Sequence, residues 1–288
     1  MPESEGMAEE SAVLLTRANE LKEQFNREFW MPDKGYYAMA LDGHHRQVDT
    51  ITSNPGHCLW TRLIDEEHAE DTANVLLSHH MSSGWGIRSM SNIEQAYNPL
   101  SYHNGSVWPF ENTLIGAGLK HYGCVDESAS VFQTMLEAAW HFEYARWPEV
   151  FCGVTRDLLD VMALQPDSSR PQAWSAAAIF LWVKTWLGIS PRPFSTHIDM
   201  APTLPPFTDK LTVTDLSISG CKVSLKLTKT DDGSTTLQIV DNPGGLDITL
   251  HPLPRPPKGT HPRDDKPQYT LPEDFEPVIA GGRSMAKT

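Results

Sequence analysis

The chain has 288 residues, with 37 acidic against 23 basic side chains and a formal net charge of −14; 40% of residues are hydrophobic, 9% aromatic and 21% charged. That length and apolar share exclude disorder throughout and allow one large domain or two small ones. The acidic excess repels phosphate backbones and anionic bilayers, so nucleic acid and membrane are poor partners and a neutral or cationic ligand suits the surface better.

All nine tryptophans lie between Trp30 and Trp186, whereas most of the 22 prolines fall in the last hundred residues. The chain is therefore two-part. Trp, Tyr and Phe beside Asn, His and Glu form either a Trp-rich helical core or a site that stacks on sugar rings. Cys58, Cys124, Cys152 and Cys221 are far apart and lack CxxC spacing, so reduced thiols are expected, with no disulfide framework, metal or cofactor. The acidic start MPESEGMAEE has no apolar core of a signal peptide, and the longest apolar stretch, Ala173 to Val183, is too short to span a bilayer. A cytoplasmic protein is expected.

In chain order, Ala18, Leu21, Phe25 and Phe29 recur at helical spacing before Pro32 stops the helix. Asn54-Pro55 opens a short helix through Leu63, with Asn54 as its cap. A third helix is expected over 66–80. A fourth runs from Trp108-Pro109 to Gly123, and a fifth carries the stripe Phe132, Met135, Leu136 and Ala139. The sixth follows Pro171 and stops at Gly188; Trp174, Ala177, Ala178, Leu181, Trp182 and Trp186 wrap most of it, which predicts packing on both sides. Beyond it the period changes. Val223, Leu225 and Leu227 alternate with polar residues, Asp232-Gly233 supplies a hairpin turn into a strand with Leu237 and Ile239, and a third strand carries Leu246, Ile248 and Leu250. A small antiparallel sheet resting on the helical part is expected, followed by a disordered proline-rich tail. The fold class is thus mainly α, with a helical part at 1–192, a β-rich part at 200–251 and the tail at 252–288. About six helices joined by such loops could form a bundle, a solenoid or part of a toroid. Loops this rich in Trp, Asn, His and Gly favour the toroid, where they would line a central pit.

Two stretches concentrate chemistry. Tyr97 to Asn112 offers rings in Tyr97, Tyr102 and Trp108, amide or imidazole groups in Asn98, His103, Asn104 and Asn112, and Glu111 in a first helical turn, where the macrodipole alone would stabilise it. In Arg146 to Gly153, Glu149 is flanked by apolar residues. A carboxylate there is either salt-bridged to Arg146 or Arg156, or a general base. His57 at a helix entrance, and Trp85 with Arg88 in GWGIR, are either sugar contacts or turn residues. The pairs His44-His45 and His79-His80 read as surface residues.

Taken together, FNREFW with GYYAMALDG, then TSNPGHCLW, GWGIRSMS, YNPLSYHNGSVWPFEN, WPEVFCG and RPQAW resemble, in order, the amylo-alpha-1,6-glucosidase part of glycogen debranching enzymes and related six-hairpin glycosidases with an (α/α)6 toroid. The resemblance covers residues 18–188. It implies hydrolysis of α-1,6 or related α-glucosidic bonds with inversion, by a pair of carboxylates. It gives Glu149 the role of general base and implicates His103, Asn104 and Trp108 in substrate binding, with Trp147, His57, Trp85, Arg88 and Glu111 as further contacts. At Glu111 the family more often has Asp. The family's general acid lies before the region that matches residue 18, so the chain resembles a C-terminal portion of a longer enzyme. The partners implied are an α-glucan or oligosaccharide and a separate chain that supplies the rest of the toroid. The alternatives are a glucan-binding remnant without activity, or half of a split enzyme.

Overall fold

A computed structural model describes residues 7–159, 161–192, 195–253 and 259. The expected tail lies outside these apart from positions 252, 253 and 259. Six α-helices are found among the described residues: α1 (Ala8–Phe29), α2 (Asn54–Trp60), α3 (Glu66–Leu76), α4 (Pro109–His121), α5 (Val125–Ala139) and α6 (Ala173–Leu187). None is long and apolar enough to cross a membrane.

The chain chemistry explains their limits. Pro55 and Pro109 sit in first turns, where a missing N–H costs nothing, and Gly188 ends α6 with φ +61, a backbone that favours glycine. The third helix stops at Leu76, short of the expected His80, because residues 78–90 fold back through turns in which Ser82 and Ser83 bond Ser78 and Gly86.

Helices α2, α4 and α6 lie side by side and run parallel. At their N-terminal ends Ser53 meets Glu111, and Phe110 stacks on Trp174; at their C-terminal ends Arg62 meets His121, and Lys120 meets Thr185. Close approach depends on glycine. A Cβ on Gly118 would come within 2.6 Å of the Trp60 backbone nitrogen, and one on Gly116 within 2.1 Å of the Trp182 ring. Helix α5 returns antiparallel after Gly123, and of its predicted stripe Phe132, Met135 and Ala139 are buried and Leu136 is half-buried against the same core. Against expectation α6 packs on one side. Ser175, Ala178, Trp182 and Trp186 are buried, whereas Trp174, Ile179, Phe180 and Val183 face outward.

Short paired segments precede and join the helices: β1 (Trp30–Met31) with β2 (Tyr36–Tyr37), and β3 (Ala40–Leu41) with β4 (Gln47–Val48), both antiparallel. After α6 the expected single antiparallel sheet is two sheets. One is β5 (Ile189–Pro191), β6 (His197–Met200) and β10 (Asp247–Leu250), with β10 parallel to β6; the other is β7 (Lys210–Ile218), β8 (Cys221–Lys229) and β9 (Thr235–Asp241), all antiparallel. The third predicted strand leaves its neighbour because Asn242 closes a turn on Leu246 through both its amide atoms, at 2.9 Å each, and Pro243 offers no N–H to a ladder. Strand β7 escaped the sequence reading because a bulge between Val213 and Leu216, with Asp215 at φ +53, shifts its alternation midway.

The helical part and the sheets have separate apolar cores, one around Leu59, Ile115 and Trp182 and one around Ile198, Val223, Leu225 and Leu227. Phe207 against Phe132 and the Lys120 ammonium bridge the two.

Candidate active site

Extended segments stitched by isolated bridges set the site. Val107 and Phe151 exchange both backbone hydrogen bonds, at 2.9 and 3.1 Å, while Arg88 bridges to Val107 and Leu164 to Phe151. Four loops are thereby laid edge to edge. Gly153 is required where they touch, since a Cβ there would overlap the Gly105 carbonyl oxygen at 1.7 Å.

Glu149 is 8% exposed. Its Oε2 accepts the Ser169 backbone N–H at 3.1 Å and its Oε1 accepts the Gln172 side-chain amide at 3.1 Å; the Tyr102 hydroxyl lies beside the same carboxylate and favours its charged form. Neither arginine considered from sequence is its partner. Arg156 pairs with Glu137, and Arg146 covers the Tyr144 ring. The Ser169 N–H, with the Tyr102 hydroxyl and the Gln172 amide, outweighs burial and holds the Glu149 carboxyl below the usual carboxylate range. The group is a carboxylate at neutral pH, held by neutral donors.

Gln172 makes this orientation part of α6. Its Oε1 caps the helix by accepting the Ala173 N–H at 2.8 Å, so its Nε2 is the end that faces Glu149.

A second carboxylate, Glu111, is 7% exposed in the first turn of α4. The Ser53 hydroxyl bonds it at 2.6 Å and His57 Nε2 lies 3.2 Å from the same oxygen. Ser53 holds the N-cap position of α2, expected at Asn54, yet makes no side-chain cap bond, because its hydroxyl goes to Glu111. A helix cap has been given up to position a carboxylate.

Between the two carboxylates lies an aromatic cluster. Trp108 meets Tyr102 and Phe110 edge-on at 5.0 and 6.0 Å and lies parallel to His103 at 5.8 Å; Phe110 stacks on Trp174 at 4.1 Å. Trp174 is 43% exposed, and His103 and Asn104 are exposed, whereas Trp108 is 8% exposed. The open faces are therefore those of Trp174, His103 and Asn104, with Trp108 behind them.

Glu149, His103, Asn104, Trp108, Glu111 and His57 thus share the N-terminal end of the parallel helices. Trp85, Arg88 and Trp147 lie in the interior. Trp85 is 3% exposed between His141 and the Arg156 guanidinium, and the Trp147 Nε1 donates to the Met135 carbonyl at 2.7 Å. Arg88, fully buried, donates to the Gly153 and Ser82 carbonyls at 2.8 and 2.7 Å and to the Thr155 hydroxyl at 2.7 Å. It braces the loops that carry the site. Trp174, Gln172, Ser169 and Ser53 were not singled out for the site from sequence; the signal available was that RPQAW and TSNPGHCLW, which hold three of them, recur in the family resembled.

Residues 1–175 match the profile of the mannosylglycerate hydrolase MGH1-like glycoside hydrolase domain. The chain belongs to that family. Among solved structures, this MGH1-like domain is similar to the GH63 mannosylglycerate hydrolase from Thermus thermophilus in complex with Tris (18% identity, 54% of this chain and 35% of that chain, TM-score 0.43). The same enzyme in complex with glucose gives 19% identity, 54% and 36% coverage and a TM-score of 0.43. An uncharacterized conserved protein from that organism gives 19%, 54%, 37% and 0.42. The chain spans 35–37% of the length of these structures. No curated protein matches it. The glycoside hydrolase expectation holds at the level of the family; the match does not single out the debranching enzyme.

Proposed function

We propose that this MGH1-like domain is the base-bearing part of an inverting glycoside hydrolase that acts on an α-glycoside, with Glu149 as general base. The ionised state of Glu149 carries this assignment. A general acid must begin protonated and needs its pKa raised, whereas the Ser169 and Gln172 donors and the neighbouring Tyr102 hydroxyl favour the Glu149 carboxylate. In the single displacement, Glu149 takes a proton from water as the water oxygen bonds to the anomeric carbon. On the other face the bond to the leaving oxygen breaks and a second carboxyl group protonates it, with the two carboxyls separated by roughly 6.5–9.5 Å in such enzymes.

The parallel α2, α4 and α6 serve as inner helices of part of an (α/α)6 toroid, and the loops at their N-terminal ends face the sugar. The general acid belongs to the rest of the ring, in a longer chain or a partner chain. Trp174 provides an apolar ring face, while His57, His103, Asn104 and Glu111 bond hydroxyls. Trp108 backs this surface, and Trp85, Arg88 and Trp147 hold it from within. A cytoplasmic location belongs to the same reading, in keeping with four cysteines spaced without a disulfide framework in the sequence. An α-1,6-linked glucan is the substrate that the motif resemblance favours; a mannosylglycerate-type glycoside is the second reading, favoured by the family matched over residues 1–175.

The test compares hydrolysis and calorimetric binding of an α-1,6-linked oligosaccharide and of mannosylglycerate by the protein and by Glu149→Gln. One substrate is expected to be cleaved to the inverted anomer, with the substitution lowering kcat about a hundredfold or more while affinity stays within a few-fold. Hydrolysis that survives Glu149→Gln overturns the assignment of the base. Binding without hydrolysis by the unaltered protein replaces the enzyme with a sugar-binding remnant.

A further inference from the structure

The opposite ends of α2, α4 and α6, roughly 20 Å from the sugar-facing loops by the length of α4, enclose a cavity of about 790 Å³. Lys22, Arg62, Lys120, His121 and Lys184 line it, and Glu66 is the one carboxylate among its described lining residues. Such a concentration of cations is unexpected in a chain with a net charge of −14. Some of it belongs to the fold. The Lys120 ammonium donates to the Thr185, Trp186 and Ala201 carbonyls, and Lys22 donates to the Arg62 and Ile64 carbonyls and lies 3.8 Å from Asp65.

Arg62 and Lys184 are not used in this way. Arg62 holds a left-handed backbone, φ +60, which costs an L residue energy, and its Nη2 donates to His121 Nδ1 at 3.1 Å. Among the described residues neither Arg62 nor Lys184 has a carboxylate at ion-pair distance. His121 therefore accepts from a cation and carries its own proton on Nε2. We propose that this cavity binds a phosphate-bearing small molecule, with Arg62 and Lys184 holding the phosphate and His121 Nε2 donating a further hydrogen bond to it. Arginine offers two parallel donors and lysine a point charge, the pairing that a tetrahedral dianion takes. Trp60, Leu181 and Ile189 supply an apolar wall for the remainder of the molecule, and the volume lies within the ordinary range of small-ligand sites. Burial first, then Arg62, Lys120 and Lys184, push His121 down to about 4, so a bound phosphate, still an anion in that range, raises it.

The experiment follows the His121 ring protons by NMR across a pH titration, with inorganic phosphate, a hexose phosphate, or chloride at matched ionic strength. Phosphate is expected to raise the His121 midpoint by at least about one unit. Lys184→Gln, on an exposed side chain, is expected to weaken phosphate binding at least threefold, and Arg62→Gln with Lys184→Gln at least tenfold. Binding of the hexose phosphate at least tenfold more tightly than inorganic phosphate assigns the site to a phosphate ester, and equal or weaker binding assigns it to the free ion. Absence of any midpoint shift in phosphate relative to chloride overturns the proposal. So does unchanged affinity in Lys184→Gln, whose thermal unfolding serves as the check on its fold.

Discussion

A buried arginine that donates to backbone carbonyls and a hydroxyl does work that an ammonium cannot copy. The Arg88 fork reaches Gly153 through Nε, Ser82 through Nη1 and Thr155 through Nη2, and so ties its own turn to the loop at 153–155. Arg88→Lys keeps the charge but not the fork, and is expected to cost at least about 2 kcal/mol in urea unfolding, because buried carbonyls lose their donors. A role confined to sugar contact would instead weaken substrate binding and leave unfolding unchanged. Glu149 was legible in the sequence because an acid between Pro148 and Val150 is costly without a purpose. Gln172 was not, because its two tasks face residues 23 positions and one position away and only the fold joins them. The same limit applies to Ser53, which reads as part of a capping sequence until the structure turns its hydroxyl to Glu111, 58 residues on.

Among the elements, the parallel helices depend on where side chains are missing. Helix α4 meets the backbone of α2 at Gly118, and backbone cannot rotate aside as a side chain can. Gly118→Ala gains helix propensity but is expected to destabilise the protein by about 1–3 kcal/mol in thermal or urea unfolding, the usual cost of forcing a methyl group into packed space. The six helices were readable because their apolar period, prolines and terminal glycines agree with one another. The sheets were readable only in part. Strands β8 and β9 alternate cleanly around Asp232-Gly233, whereas β7 changes phase at its bulge and β5 and β6 are too short to show a period. Which strand β10 would join lay beyond any local signal, since its parallel partner is about fifty residues earlier, Asp247 opposite His197.

Over the whole molecule, one ammonium group ties two cores together. The Lys120 side chain reaches from α4 to the carbonyls of Thr185 and Trp186 at the end of α6 and of Ala201 beyond β6. Those carbonyls favour the charged form and burial opposes it; burial prevails and pushes Lys120 down from 10.5 to about 7. Between these two values the unfolded chain binds a proton at Lys120 that the folded chain has released, so this residue's contribution to stability rises with pH across that window. Above about 9 the Cys58 thiol, pushed up by burial, works in the opposite direction. Urea unfolding at a series of pH values from about 7 to about 8.5, below the main ionisation of thiols and tyrosines, is expected to show this rise in the unaltered protein and to lack it in Lys120→Met, which is also less stable by about 3 kcal/mol because buried acceptors are left unpaired. The outward Phe180, 75% exposed on α6, differs from the expectation of a helix packed all round, because composition reports how apolar a helix is and not which neighbours reach it. The Gln172 amide has a consequence of its own. It begins α6 and also bonds Glu149, so fraying of the first turn of that helix takes one donor from the carboxylate at the same moment and leaves it on the Ser169 N–H, and warming would loosen the site before the protein melts.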